Sequence, residues 1–519
     1  MATLLLLIPT LIYLHHLSLA FANVSLNSSL STDDKHAWRS PSGEFAFGFR
    51  LLNNDTNHKL YMLAIWYDKI PNQTVVWSAK ADNTLATAPT GSRLQITSQG
   101  LSLKNSTGDS IWTSTLDVIV SQGAMLDTGN FVLLNGNSEY VWQSFQNPTD
   151  TLLPNQSLNV DEKVYLNSRL TDTNYSSGRF QLYFQDGNVL LSPLAWPSQL
   201  HYNSYNVIDA SGAASSFVFD ISGDIYVETT NGTRIRPQGS TWGNLTLDPK
   251  GYYYRATLDV SGVFTQYSHP RNTSTGSQQG WTIMRYLPGN ICSAIYNDYG
   301  SGSCGYNSYC SMQSQRPICN CPYGYSMIDP SNEFGGCQPN FTLACGQDVQ
   351  TPPQELYEMR VARDFNFPLG DYEKIQPFTQ DECQQSCLHD CMCAMAILGD
   401  KTCWKKRLPL GNGRAEKVND LHFVFIKTRL SRDLYLAPNR EPPPAPDSKK
   451  DDREKPILLG SLIGSLVVNS ILLATVVFFI LFKKKSERVV PGAASLLETN
   501  LHCFSYEALK RPPGVLVKN

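Results

Sequence analysis

The chain has 519 residues, and Lys+Arg 42 against Asp+Glu 45 leaves a formal net charge of −3. At 17% charged and 41% hydrophobic it is neither a disordered polyelectrolyte nor a uniformly apolar membrane bundle, and its near-neutral balance gives no electrostatic reason for a nucleic-acid partner. Twelve of the 13 cysteines lie between Cys292 and Cys403 and the last is Cys503, an asymmetry that suggests two redox compartments.

The opening run MATLLLLIPTLIYLHHLSLAFA is apolar and closes on Ala20 and Ala22, the small-x-small pattern of a signal peptidase site. A signal peptide over 1–22 is therefore expected, with a mature chain from near Asn23. From about residue 30 to 155 apolar residues alternate in short bursts: Phe45, Phe47, Phe49; Leu63, Ile65; Leu94, Ile96; Phe131, Leu133. Turn signals at Ser42-Gly43, Asn53-Asn54, Thr107-Gly108 and Thr128-Gly129-Asn130 separate them. Period two sends successive side chains to opposite faces, so the reading is many short antiparallel strands. LQITSQGLSLKNSTGDSIWTS, from Leu94, repeats as AMLDTGNFVLLNGNSEYVWQS, from Ala124, with Gly100 meeting Asn130, Leu103 meeting Leu133 and Trp112 meeting Trp142 at an offset of about thirty. A less regular copy ends at Val75-Val76-Trp77. One tryptophan per copy predicts three small sheets whose tryptophans share one core.

On these residues the segment 23–156 resembles a bulb-type (G-type) lectin domain, a β-prism of three four-stranded sheets. VWQSFQNPTDTLLPNQ, Val141–Gln156, is similar to the run that closes that domain in the G-type lectin S-receptor-like serine/threonine kinases of plants. The resemblance implies a mainly β ectodomain. Residues 157–288 keep the strand pattern, with hairpin turns at Asp186-Gly187-Asn188, Ser222-Gly223-Asp224 and Ser261-Gly262. LDVSGVFTQYSHP followed by Trp281 resembles the S-locus glycoprotein region of that family, read here as a plain β module that positions the lectin.

Cys292, Cys304, Cys310, Cys319, Cys321 and Cys337 allow fifteen connectivities by spacing alone. The C-x-C pair followed by Gly324 and Gly336-Cys337 resembles an EGF-like module over 289–340, which implies Cys292–Cys310, Cys304–Cys319 and Cys321–Cys337. The spacings also suit zinc, but an oxidising secretory route and a core too small to stand without staples weigh against a metal. Further on, Thr379-Gln-Asp-Glu382 reads as a capping box that starts a short helix with Cys383 and Cys387 on one face. With C-M-C and Cys403 behind it, this resembles a PAN/apple module over 341–430, implying Cys345–Cys391, Cys383–Cys403 and Cys387–Cys393.

The EPPPAPD run and mixed charges over 431–456 read as a stiff polar stalk. Ile457–Phe482 carries no charge and as a helix reaches about 39 Å, more than the roughly 30 Å hydrocarbon core. Lys483, Lys484, Lys485 and Arg488 follow it, so the positive-inside bias puts the short tail 483–519 in the cytosol. This predicts a single-pass type I plasma-membrane protein with its N-terminus extracellular. N-glycosylation sequons stand at Asn23, Asn27, Asn54, Asn72, Asn105, Asn155, Asn174, Asn231, Asn244, Asn272 and Asn340, none beyond the span. Gly460 and Gly464 form a GxxxG with Ser461, Ser465 and Asn469 nearby, a face that fits homo- or hetero-dimerisation.

Sugar binding is tested against the mannose-binding members of the lectin family, whose pocket reads Gln-x-Asp-x-Asn-x-Val-x-Tyr on one strand. The positions here are Leu126, Thr128, Asn130, Val132 and Leu134, and in the preceding copy Thr97, Gln99, Leu101, Leu103 and Asn105. Leucines in place of alternate polar groups leave sugar hydroxyls unpaired, so mannose recognition through these strands is not expected. Asp127 and Asp186, a nominal acid pair, each lie in a turn where a carboxylate bonds its own backbone. No nucleophile–base constellation, cofactor site or metal site is expected. The tail's Cys503-Phe-Ser-Tyr-Glu-Ala-Leu509 resembles the lead-in to a receptor kinase, yet no Gly-rich phosphate loop, Val-Ala-Ile-Lys, His-Arg-Asp or Asp-Phe-Gly is present, so as written the chain is not expected to bind ATP. The expected function is that of a receptor-like glycoprotein that binds an extracellular glycan or protein ligand or a sister receptor kinase and signals through the partner's kinase. The alternative is a truncated form of an ATP-dependent receptor kinase of defence or self-recognition signalling.

Overall fold

In the computed structural model, residues 22–53, 59–239, 242, 247–272, 280–296, 300–343, 345, 351–415 and 422–430 are described. They fall within the compact unit Met1–Asp433, whereas the second unit, Leu434–Asn519, lies outside the described residues. The signal peptide except for Ala22, and the stalk, span, Gly460/Gly464 and tail of the sequence reading, lie outside them as well. Among the described residues no helix is long and apolar enough to cross a membrane.

Twelve of the first fifteen described strands build three sheets, the others being the hairpin Lys80–Ala81/Thr84–Leu85 and Thr87–Pro89: β1 (Ala22–Ser25), β2 (Ser29–Ser31), β3 (Ala37–Arg39), β4 (Phe45–Asn53), β5 (Leu60–Tyr67), β6 (Val75–Ser78), β7 (Arg93–Thr97), β8 (Gly100–Lys104), β9 (Ser110–Thr113), β10 (Gln122–Met125), β11 (Phe131–Leu134) and β12 (Tyr140–Gln143). They pair antiparallel as β3-β4-β5-β6, β2-β7-β8-β9 and β1-β10-β11-β12, with Thr87–Pro89 added beside β5. Each run of three hairpin-linked strands thus takes its fourth strand from the opening segment. The inward residues Phe47, Leu63, Leu94, Leu103 and Phe131 are fully buried. Trp77, Trp112 and Trp142, one from the last strand of each sheet, meet edge-on with ring centroids 6.1, 6.1 and 6.4 Å apart. Alternation and tryptophan spacing therefore translate directly into three sheets around one aromatic centre.

The next twelve strands follow the same plan: β13 (Thr151–Leu152), β14 (Gln156–Asn159), β15 (Leu166–Arg169), β16 (Ser177–Gln185), β17 (Asn188–Pro193), β18 (Asn206–Ile208), β19 (Ala214–Phe219), β20 (Ile225–Thr229), β21 (Arg234–Ile235), β22 (Tyr252–Leu258), β23 (Phe264–Pro270) and β24 (Thr282–Leu287). Their sheets run β15-β16-β17-β18, β14-β19-β20-β21 and β13-β22-β23-β24, so each strand stands where its counterpart twelve places earlier stood. The region read as a plain β module is a second copy of the first unit's topology. Its centre is built on Phe180, Phe217, Phe219 and Phe264, all fully buried. Gly187, Gly223 and Gly262 take positive φ in the expected turns, and a Cβ on Gly262 would lie 2.7 Å from the Phe180 ring. Ahead of the boundary expected at Gln156, β13 pairs with β22, and β14, which Gln156 opens, pairs with β19.

The cysteine-rich remainder is knit across the boundary expected at residue 340. β25 (Tyr309–Gln313) and β26 (Arg316–Asn320) share a sheet with β28 (Phe365–Asn366) and β32 (Gly413–Ala415), β25 lying parallel to β32. A five-stranded sheet orders β27 (Tyr357–Ala362), β33 (Phe423–Arg429), β30 (Met395–Gly399), β31 (Thr402–Lys406) and β29 (Asp371–Ile375). Helix α1 (Gln380–His389) packs against it through buried Cys383, Cys387 and Leu388. Its capping box is formed: Thr379 Oγ1 accepts from the Glu382 amide at 3.3 Å, and Glu382 Oε2 accepts from the Thr379 amide at 2.8 Å.

Candidate functional site

The positions compared with a mannose pocket do not share one strand. β10 ends at Met125 and β11 starts at Phe131, and the Leu126 amide bonds the Asn130 carbonyl at 2.9 Å to close the turn between them. Asn130 is only 5% exposed, and its side chain is engaged at both ends. Oδ1 accepts from Ser144 Oγ and from the Phe145 amide, each at 3.1 Å, and Nδ2 donates to Gln143 Oε1 at 2.9 Å. Val132 and Leu134 are buried against Ala124. In the preceding copy Ser114 Oγ accepts from the Leu101 amide at 2.9 Å just as Ser144 Oγ accepts from Phe131 at 2.9 Å. The offset is therefore 30 after the turn, while the Thr97↔Gly100 pairing set beside Leu126 and Asn130 makes it 29 before, because the second turn is one residue longer. The counterpart of Asn130 is Gly100, not Leu101, and a Cβ there would lie 2.2 Å from the Ser114 carbonyl oxygen. In the later copy the face made by Ala124, Val132 and Leu134 is apolar and buried, whereas in the preceding copy the alternate positions Arg93, Gln95 and Thr97 are polar and exposed or half-buried.

Asp127 differs from its sequence reading. It accepts from the Ser42 amide at 2.8 Å and from Ser42 Oγ at 2.5 Å, pinning its turn to the start of β4 rather than to its own backbone. Burial works against its charge, but the Ser42 hydroxyl and amide outweigh it and hold the carboxyl below the usual range. The Asp186 carboxylate accepts from Gln185 Nε2 at 3.4 Å and its carbonyl from Asn188 Nδ2 at 3.4 Å, and the turn is held by Asn188 Oδ1, which accepts from the Ala210 amide at 2.8 Å.

The sulfurs are joined as Cys292–Cys310, Cys304–Cys319, Cys321–Cys337, Cys345–Cys391, Cys383–Cys403 and Cys387–Cys393. Among the described residues no group of three or more His, Cys, Asp or Glu is placed to hold a metal. Of the sequon asparagines, Asn23, Asn27, Asn72, Asn155, Asn174, Asn231, Asn272 and Asn340 are exposed and Asn105 is half-buried, its Oδ1 accepting from the Thr107 and Asp109 amides. Asn54 and Asn244 lie outside the described residues.

Sequence reasoning missed the residues that join the units, because each is distant in the chain from what it touches. Tyr67 Oη donates to the Tyr254 carbonyl at 2.8 Å, Trp281 Nε1 donates to Thr74 Oγ1 at 2.7 Å, and Arg271 pairs with Glu44. Arg179, from the second unit, donates to Ser301 Oγ at 2.7 Å and to the carbonyls of Gly302, Ser303 and Phe334 at 3.1, 2.6 and 3.0 Å, fastening the cysteine-rich block. A cleft of about 560 Å³ is lined by Trp77, Trp112 and Trp142 and by residues from both units, including Lys80, Asn147, Tyr165 and Asn167. Trp77 Nε1 donates to the Asn147 carbonyl at 2.7 Å, and Lys80 Nζ donates to Ser177 Oγ at 3.2 Å. Burial pushes the Lys80 ammonium down to about 8, with Asp150 and Arg169 acting in opposite senses.

Residues 74–174, from β6 past β15, match the family model described as D-mannose binding lectin. A kinase of Oryza sativa subsp. japonica, LECRK1, is 36% identical over 94% of this chain and 61% of its own length. The chain is a homologue of the G-type lectin S-receptor-like serine/threonine-protein kinases. LECRK4 of Oryza sativa subsp. indica is 41% identical over 75% of this chain and 49% of its own, and RLK1 of Arabidopsis thaliana is 36% identical over 80% and 51%. The chain thus spans between about half and three fifths of these relatives. Among solved structures, the Japanese Marasmius oreades lectin covers 24% of this chain and 88% of its own at 16% identity and TM-score 0.17. The two-domain fetuin-binding agglutinin of Scilla campanulata covers 49% and 94% at 14% identity and TM-score 0.18. At such TM-scores neither is evidence of a shared fold.

Proposed function

We propose that the chain is a single-pass cell-surface receptor-like glycoprotein: two β-prism units of lectin type, carried on EGF-like and PAN/apple modules, meet an extracellular glycan or protein, and a partner receptor kinase supplies the phosphoryl transfer. The observation that carries this reading is the tandem of two twelve-strand units on one plan, ahead of a block with six disulfides, in a chain that aligns over 94% of its length with a receptor-like kinase. Exposed sequon asparagines on both units support passage through the secretory route. Mannose through the Asn130 strand is left out of the proposal, since that amide is engaged within the fold.

The second reading is a shortened form of an ATP-dependent serine/threonine receptor kinase, favoured by the similarity of Cys503–Leu509 to a kinase lead-in. Sequencing the transcript past the codon for Asn519 separates the two: a continuing frame with kinase motifs supports the second and a stop codon the first. The receptor reading is tested by expressing the full chain with a C-terminal epitope in plant cells. It requires a mass that drops on treatment with peptide-N-glycosidase A and an epitope reached by protease only after permeabilisation. An unglycosylated chain, or an epitope cleaved on intact cells, overturns it.

A further inference from the structure

We propose that the cleft between the two β units binds an acidic sugar, the uronate of an oligosaccharide, with its carboxylate on Lys80 and its ring against the aromatic lining. The inference rests on the reading of the chain as a receptor for extracellular glycans, and names the class of glycan and the place. Three observations carry it.

The first is size and position. About 560 Å³ lies within the roughly 300–1,000 Å³ of pockets that enclose small ligands, and the cleft sits at a joint between units, where such pockets concentrate. The second is the lining. A sugar offers hydroxyls round its edge and C–H groups on its faces. Here Tyr165, 42% exposed, adds an aromatic ring to a lining that also holds the three tryptophans, while Asn83, Gln146 and Thr149 supply donors and acceptors. The third is the charge. Lys80 is half-buried in the wall, its ammonium donates to a serine hydroxyl, and among the described residues no carboxylate is ion-paired with it. A desolvated ammonium of this kind gains most from an anion that replaces lost water.

The other charges facing Lys80 do not take that role. Asp150, buried beneath it, is paired with Arg169, whose guanidinium also donates to the Val75 carbonyl at 3.2 Å. At the rim Glu162 accepts from Gln146 at 3.0 Å beside exposed Lys163, and Asp82 is exposed on the hairpin that carries Lys80. These rim charges stand in water, where salt screens them. Because burial lowers the Lys80 ammonium to about 8, affinity for a carboxylate falls as pH rises from 7 to 9, whereas affinity for a neutral sugar stays level.

The test titrates the full chain in detergent micelles, by calorimetry, with α-1,4-linked trigalacturonate and with its methyl ester, which keeps shape and loses charge. The expected result is binding of the acid at least about tenfold tighter than of the ester at pH 6.5, with the gap closing by pH 9. Lys80→Met removes the preference and Lys80→Arg retains it, so a merely misfolded variant is distinguished from one that has lost its cation. Equal binding of acid and ester, or an acid preference untouched by Lys80→Met, overturns the inference and leaves the receptor reading standing. If neither form binds, while the same preparation binds a neutral glycan, the acidic-sugar inference alone falls. If no glycan binds at all, the glycan half of the receptor reading falls with it.

Discussion

The amide of Asn130 stitches the turn before β11 to the segment after β12, and all three of its bonds lie inside the fold. Asn130→Ala leaves the Ser144 hydroxyl and the Phe145 amide without an acceptor in a site already closed to water. The expected cost is about 1–3 kcal/mol, read as a lower thermal midpoint. Because the residue is taken as structural, glycan binding per folded molecule should not change; a binding defect at unchanged stability would contradict this assignment. The sequence showed that the residue lay in a repeat, and Trp77, Trp112 and Trp142 were placed together from their spacing. What it hid was the one-residue difference between the two turns. A turn insertion shifts register on one side only, and a single offset cannot represent that. Asp127 was hidden for another reason: its partner Ser42 is 85 positions away in sequence.

At the scale of elements, α1 ends where the five-stranded sheet needs a charge. Asp390, its C-cap residue, accepts from Tyr372 Oη at 2.7 Å and from the Met392 amide at 3.0 Å, and pairs with Lys405 at 2.6 Å. Burial opposes ionisation, but Lys405, Tyr372 and the amide outweigh it and hold the carboxyl below its ordinary value. A depressed carboxylate adds stability that is present above the unfolded pKa, about 3.9, and is lost as pH falls through the folded value. The thermal midpoint of the cysteine-rich block should therefore drop between about pH 4 and the more acidic range. Asp390→Asn should flatten that drop and cost on the order of 1 kcal/mol at pH 7, since solvent screens the pair and Lys405 keeps Glu373 at 2.7 Å. An unchanged acid limb would remove Asp390 from the account. The helix start was legible because a capping box is local; the charge cluster at its end draws on β29 and β31 and has no local signature. The duplicate β unit was hidden likewise. Its last strands, β18, β21 and β24, carry no tryptophan, so the marker that exposed the first repeat is missing although the topology is kept.

For the molecule as a whole, the division of covalent and non-covalent support is uneven. No cysteine precedes Cys292, so both β units stand on non-covalent contacts, while the block behind them carries all six bridges, each adding about 2–4 kcal/mol by restricting the unfolded chain. Reductant should thus act on one part directly. Under dithiothreitol, hydrogen exchange should lose protection across β25–β33 and α1 while the strands around Trp77, Trp112 and Trp142 stay protected. The second unit should nevertheless feel the loss, because Arg179 donates four bonds to Ser301, Gly302, Ser303 and Phe334, and their loosening leaves a buried guanidinium without its acceptors. At roughly 2–4 °C per kcal/mol for 150–250 residues, a cost of about 1–3 kcal/mol lowers the tandem's midpoint by several degrees. Arg179→Met should lower it without reductant and make it insensitive to reductant thereafter. If instead the whole molecule lost protection together, the loss would have travelled through the core that the second unit shares with Cys292, Cys304, Cys310 and Cys319 rather than through Arg179. If the midpoint of the second unit did not move at all, Arg179 would be a bystander rather than the bolt.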